Sequence, residues 1–147
     1  MRSPPASTSS TLAHVGIAIA KDSPLPELLR LLGLTSTQTA VPRESLVAHM
    51  VSVAAPHARL ELLDTDNPSS TVGRFLKTHG PGIHHLCLTV PAFQLERISE
   101  RLRQHGYRLL LDRAELGAEG TLVNFVHPKS TGGVLLELQE QPGDGEP

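Results

Sequence analysis

The sequence predicts an α+β fold built from two β-α-β-β-β modules that join in one curved mixed sheet. Three paired segments predict it. His14-Val-Gly-Ile-Ala-Ile in the first half matches His85-Leu-Cys-Leu-Thr-Val in the second. Leu29-Arg-Leu-Leu-Gly-Leu matches Leu102-Arg-Gln-His-Gly-Tyr near the end of a predicted helix in each half. Arg59-Leu-Glu-Leu-Leu matches Leu135-Leu-Glu-Leu-Gln. Leucine-rich strands resemble one another by chance, so a single match is weak. Three in the same order, at similar offsets, mark an internal repeat.

The elements follow in order. Residues 1–10 are rich in Ser and Pro, lack the apolar stretch of a secretory signal, and read as a disordered arm. Thr11 to Ala20 is a predicted strand. Pro24 to Leu32 is a predicted helix, with Ser23 as N-cap, Pro24 at its first position and Gly33 at its C-cap. Leu46 to Val53 and Arg59 to Leu63 are predicted strands, and module one spans 11–64. The linker, 65–82, carries a helix from Asn67 to Lys77 opened by Asn67-Pro68. Module two, 83–140, begins with a strand from Ile83 to Val90. An amphipathic helix from Phe93 to His105 stops at Gly106. Tyr107 to Leu111, Thr121 to His127 and Val134 to Gln139 complete it as strands. The domain therefore runs over 11–140, and 141–147 is a polar tail, also read as disordered.

Composition narrows the function. Aromatics are 3% of the chain, so the core must be aliphatic. The net charge of −2 leaves no basic excess to neutralise a phosphate backbone, which excludes a nucleic-acid partner. Arg97, Arg101, Arg103, Arg108 and Arg113 cluster locally and read as a solvated helix face. No apolar run approaches the ~20 residues of a membrane span. Cys87 is the single cysteine, so no intrachain disulfide is available and none is needed. A cytoplasmic enzyme or binding protein is the expectation.

Strand parity then selects the chemistry. Side chains alternate faces along a strand. His14, Gly16, Ala18 and Ala20 share one face; Val15, Ile17 and Ile19 share the other. In the matching strand His85, Cys87 and Thr89 share a face, so parity pairs His14 with His85 and not with His84. Both histidine faces carry small residues, as the floor of a cleft requires. Glu61 lies between Leu60 and Leu62, and Glu137 between Leu136 and Leu138. A carboxylate in a leucine strand is costly to bury unpaired, so each should face a cleft, an ion or solvent. Any one of these residues alone is more simply a satisfied core histidine or a solvated glutamate. Four in equivalent places favour one divalent ion held by His14, Glu61, His85 and Glu137, with Co²⁺, Mn²⁺, Ni²⁺, Zn²⁺ or Mg²⁺ all compatible.

Other polar residues read as structural. His49 shares a strand face with Val47, Val51 and Val53. His127 precedes Pro128 in a turn. His57, His79 and His105 fall in or beside turns. Cys87 reads as a small core residue. Asn67 or Ser69 could meet an anion at a helix start, and capping explains them equally well. Lys129 could meet a phosphate, and a solvated lysine is the plainer reading.

Paired β-α-β-β-β modules with a His/Glu/His/Glu quartet resemble the vicinal oxygen chelate (glyoxalase/bleomycin resistance) superfamily. Within it the chain is most similar to the methylmalonyl-CoA epimerase family. The resemblance runs from about Leu12 to Gln139. It is carried by His14-Val-Gly-Ile-Ala-Ile, Leu60-Glu-Leu-Leu-Asp, Pro68-Ser-Ser-Thr-Val-Gly-Arg-Phe-Leu, Gly82-Ile-His-His-Leu-Cys, Leu116-Gly-Ala-Glu-Gly and His127-Pro-Lys-Ser-Thr-Gly-Gly-Val-Leu-Leu-Glu-Leu. It implies that His14, Glu61, His85 and Glu137 are metal ligands in a cleft that the sheet curves around. It implies a CoA thioester substrate, a homodimer, and metal-dependent epimerisation of methylmalonyl-CoA at the α-carbon through an enolate. Two departures stand out. Ala48 occupies the place where some family members carry a glutamate base, with Glu44 and His49 as imperfect substitutes. The first helix also lacks the usual Phe-Tyr pair before its Leu-Gly. Glu137 is then the leading base, with Glu61 as ligand and possible second base. The repeat sets Asn124 against Ala48, as a hydrogen-bond donor in the cleft or as a polar residue on an exposed strand face. The rival functions are a glyoxalase I-like lyase or other metal enzyme of the superfamily, and a non-catalytic module that binds a small ligand.

Overall fold

Twelve short elements carry the fold in a computed structural model of the chain, which describes residues 10–34, 36–41, 46–52, 59–117 and 120–143. They are β1 (Thr11–Ala18), α1 (Leu25–Leu31), β2 (Ser36–Val41), β3 (Leu46–Ser52), β4 (Arg59–Thr65), α2 (Thr71–His79), β5 (Gly82–Val90), α3 (Leu95–Gln104), β6 (Glu115–Leu116), β7 (Leu122–Val126), α4 (Pro128–Thr131) and β8 (Leu136–Glu140). The fold is α+β, as the repeat predicts. By packing, the chain divides into His14–His85 on one hand and Met1–Ala13 with Leu86–Pro147 on the other.

In the His14–His85 unit, β1 pairs parallel with β4, β4 antiparallel with β3, and β3 antiparallel with β2. Ile19, Leu29 and Leu62 pack together with Ile17, Leu25, Leu34 and Leu60, which seats α1 on one sheet face. Ala18, Leu63 and Val72 pack with Phe75 and Leu76, which brings α2 over part of the other. The histidine face is thus roofed at its Ala18–Leu63 end and continues to Gly16 and His14.

The Leu86–Pro147 unit repeats this plan. β5 pairs parallel with β8, β8 antiparallel with β7, and β7 antiparallel with β6. Val90, Leu95, Val126 and Leu138 form its core, with Ile98 and Leu102 of α3 packed on them. Glu140 at the end of β8 accepts the Leu95 N–H at 3.0 Å, so the last strand supplies the missing cap of α3. Gly106, at φ +90°, turns the chain out of that helix as its position predicts.

Several elements differ from the sequence reading, each for a local reason. β2 is a strand that the sequence pattern does not signal. Its Ser-Thr-Gln-Thr stretch is polar, with no alternating apolar face, and its register with β3 is what reveals it. α2 begins at Thr71, one turn later than Asn67-Pro68 suggests. Asn67 instead builds a turn, accepting the Ser69 N–H at 2.9 Å, and the Ser70 hydroxyl caps the helix by accepting the Gly73 N–H at 3.0 Å. Ser23 accepts the Leu25 N–H, yet Pro24 takes the capping position of α1. Tyr107 to Leu111 is not a strand. It makes one isolated bridge, Leu109 to Val126, and the strand that pairs with β7 is the two-residue β6.

Asn124 explains how that segment is held instead. It is fully buried. Its side-chain oxygen accepts the Leu111 N–H at 3.1 Å, and its amide nitrogen donates to the Leu111 carbonyl at 3.0 Å. Neither sequence reading of Asn124 survives: it is no cleft donor and lies on no exposed face. It is an interior clamp on Leu111, added to the backbone bonds from the Leu110 N–H to the Phe125 carbonyl and from the His127 N–H to the Arg108 carbonyl. Asn124→Ala should therefore lower stability by about 1–3 kcal/mol, the cost of stranding buried backbone partners. Urea unfolding checks this, and a change below ~0.5 kcal/mol would show that water replaces the clamp freely.

Candidate metal centre

Three side chains of the His14–His85 unit converge on one point. β1 presents His14, β4 presents Glu61, and β5 presents His85. All three are buried, at 2%, 7% and 5% exposure. The His14 and His85 Nε2 atoms lie 3.0 Å apart. Glu61 Oε1 lies 3.4 Å from each of them. It is His85 that meets His14 here, as strand parity predicts.

The size of this triangle decides what can sit in it. Corners separated by 3.0, 3.4 and 3.4 Å lie about 1.9 Å from their common centre. Metal bonds to imidazole nitrogen and carboxylate oxygen are about 2.0–2.2 Å. A divalent ion would therefore be held by His14, Glu61 and His85 together, whose spacing fits its bond lengths. Donor chemistry agrees. Two imidazole nitrogens and a carboxylate are an ordinary set for a first-row divalent ion.

Electrostatics hold Glu61 ready for that charge. Burial alone would raise its pKa, but hydrogen bonds from His14 and His85 outweigh burial and bring it from its ordinary 4.5 down to about 2. The carboxylate is ionised throughout the physiological range.

Gly16 makes the convergence sterically allowed. A Cβ at this position would fall 2.2–2.7 Å from three atoms of the His85 ring. The ring occupies the space that any other residue would need. The sequence marks the histidine face only as small; an isolated glycine inside a strand is the available signal for such close approach.

Glu137 belongs to the Leu86–Pro147 unit, where β8 places it half-buried. Its register repeats that of Glu61. Gly16, two residues after His14, pairs with Glu61, and Cys87, two residues after His85, pairs with Glu137. On the antiparallel side Met50 pairs with Glu61 and Phe125 with Glu137. This register corrects one inference from the offsets: the counterpart of Ala48 is Val123, and the counterpart of Asn124 is His49. His49 takes the register position of Leu62. Glu44 and His57 lie outside the described residues. The His127 side chain accepts the Lys129 N–H at 3.0 Å and opens α4, and Cys87 is fully buried.

Two predictions follow from this geometry. Gly16→Ala should weaken divalent-ion binding about 10–100-fold, as does disturbing the support of a metal ligand; titration calorimetry with Mn²⁺ reads it, and unchanged affinity would show that His85 needs no such seat. In the metal-free protein, the lowered Glu61 pKa makes its stabilisation complete above pH 4.5 and lost as pH falls toward 2. Thermal melts of Glu61→Gln should lack that part of the acid destabilisation, and parallel profiles would exclude it.

Comparison with known proteins places this geometry in a family. The sequence model of the Glyoxalase/Bleomycin resistance protein/Dioxygenase superfamily matches residues 4–125. The chain is 31% identical to the mitochondrial methylmalonyl-CoA epimerase of Mus musculus over 130 residues, spanning 88% of this chain and 72% of that protein. The crystal structure of methylmalonyl-CoA epimerase from Mycobacterium tuberculosis superposes with a TM-score of 0.79 at 31% identity, covering 90% of this chain and 89% of that one. A variant of the Streptomyces coelicolor methylmalonyl-CoA epimerase in complex with 2-nitronate-propionyl-CoA superposes with a TM-score of 0.81 at 26% identity, covering 92% of this chain and 100% of that one. The convergent histidines, the buried carboxylate and the repeated register thus sit in a chain that belongs to the glyoxalase/bleomycin resistance superfamily and, within it, to the methylmalonyl-CoA epimerases, which are isomerases.

Proposed function

We propose that this chain epimerises methylmalonyl-CoA at its α-carbon through an enolate and depends on one divalent ion. The observation that carries the metal dependence is the triangle of His14, Glu61 and His85, whose edges suit a single ion. Glu137 is the fourth ligand in this reading, supported by its register, which repeats that of Glu61. The substrate class is supported by the relatives, among them the epimerase bound to a propionyl-CoA derivative. Co²⁺, Mn²⁺, Ni²⁺, Zn²⁺ and Mg²⁺ remain the candidate ions.

The reaction sets two demands. The α-proton of a thioester is weakly acidic, so its removal needs a base within hydrogen-bond reach and positive charge near the oxygen that becomes the enolate. A bound divalent ion would supply that charge. Inversion also needs a proton donor on the opposite face. Glu137 is assigned as one base. Glu61 is assigned first as ligand, from its place between His14 and His85, and as a possible second base.

Among the described residues no helix is long and apolar enough to cross a membrane. A cytoplasmic location belongs to the same proposal, supported by the single cysteine. So does a homodimer, which rests on the family resemblance and is compatible with the exposed Leu28 and Leu31 of α1 and Leu32 just after it.

NMR of methylmalonyl-CoA in D₂O tests the proposal. The purified chain should exchange and invert the α-centre, and chelator should abolish both. Glu137→Gln keeps a weak ligand oxygen but no base, so exchange should fall by at least ~10². Exchange without inversion in Glu61→Gln would support a two-glutamate scheme. Near-normal epimerisation by Glu137→Gln would sink the base assignment and return attention to Glu44 and His49. Turnover of the glutathione hemithioacetal with none of methylmalonyl-CoA would favour the lyase instead.

A further inference from the structure

His84 shares β5 with His85, and parity excludes it from the ligand set. It nevertheless touches the centre. Its Nδ1 lies 2.9 Å from His85 Nδ1, and the two rings meet edge to face, with centroids 5.2 Å apart and planes at 86°. Consecutive strand residues point to opposite faces, so the pleat does not produce such a contact by itself. Something must hold it. The Phe75 ring of α2 meets His84 edge to face at 5.1 Å and 80°, and Phe75 is itself stacked on His79 at 4.7 Å.

The direction of the hydrogen bond follows from which nitrogen of His85 faces the centre. Nε2 is the atom beside His14 Nε2 and Glu61 Oε1. A ligating imidazole offers a lone pair there and must carry its proton on the other nitrogen. His85 Nδ1 is then the donor, and His84 Nδ1 the acceptor. From this we infer that His84 is a positioning residue: it fixes the tautomer and the ring orientation of His85, and Phe75 of the linker helix holds it in place. The inference rests on the reading of His14, Glu61 and His85 as metal ligands. It gives α2, which lies outside both repeats, a part in building the centre.

The test uses the full chain stripped with chelator and titrated with Co²⁺ in a calorimeter. His84→Leu removes the acceptor and keeps bulk; Co²⁺ affinity should fall about 10–100-fold, with the melting temperature of the stripped protein unchanged. His84→Asn places its amide oxygen near the former Nδ1 and should restore most of the affinity. Equal affinity of His84→Leu and the parent chain overturns the inference while the ligand reading stands. Equal losses in His84→Leu and His84→Asn overturn it too, since bulk and acceptor would then not be distinguished by the site. Failure of the parent chain to bind Co²⁺ removes the ligand reading and this inference together. Should His84→Leu not fold, ¹⁵N NMR of the Zn²⁺-loaded parent chain decides. His85 protonated at Nδ1 and His84 protonated at Nε2 is the expected pattern, and a His85 Nδ1 without a proton overturns the assignment.

Discussion

Two imidazole nitrogens 3.0 Å apart, each 3.4 Å from the same carboxylate oxygen, all lack solvent. Lone pairs crowded in this way repel unless protons or a cation lie among them. Most of what the His14–His85 unit does locally serves that crowding. The parallel pairing of β1 with β4 sets Gly16 beside Glu61, and the absence of a side chain at Gly16 admits the His85 ring. Leu62, on the opposite face of β4, anchors the strand against α1. α2 closes the histidine face where Ala18 and Leu63 leave it apolar. A histidine or glutamate held by packing on both sides of its strand loses little further freedom when an ion arrives, which is how a shallow sheet surface becomes a centre.

The repeat is carried more faithfully by pairing than by sequence. Few residues are shared between the halves beyond leucines, one histidine and one glutamate each. Yet the register is the same: the residue two beyond the histidine pairs with the glutamate in β1–β4 and again in β5–β8. A slip of one residue would turn every side chain to the other face, so this register is strongly constrained wherever one face packs on a helix. Loops are free of that constraint, which accounts for the drift in offset between the histidine and glutamate pairs.

What the sequence disclosed follows the same division. Elements with an apolar period were readable: β1, β4, β5, β7, β8 and α3 all fall near their expected places. The parity of alternating residues sufficed to choose His85 over His84. The misreadings lie where local pattern is silent. β2 is polar and is a strand because β3 pairs with it. The stretch from Tyr107 to Leu111 looks like a strand, but its pairing with β7 ends after a single bridge, where a buried asparagine 13 residues away takes both backbone groups of Leu111. Asn124 could be assigned a register only from backbone pairing, because counting offsets across loops of unequal length errs by one, and one residue is a whole face. Gly16 and His84 matter through tertiary approach, which no period records.

Duplication also explains how one chain could meet two chemical demands with the same residue type. A ligand carboxylate should hold its charge, whereas a base should give it up to a proton. Glu61 is buried and tied to two imidazoles, which hold its carboxylate ionised in the metal-free protein. Glu137 starts from the same register but stands in other company. Cys87 and Phe125 flank it where Gly16 and Met50 flank Glu61, and it is half-buried rather than buried. Equivalent backbone positions in a repeat thus do not impose equal basicity, because the neighbours set the electrostatics. Two carboxylates that differ in environment can divide anchoring from proton transfer, which a strictly symmetric pair cannot do.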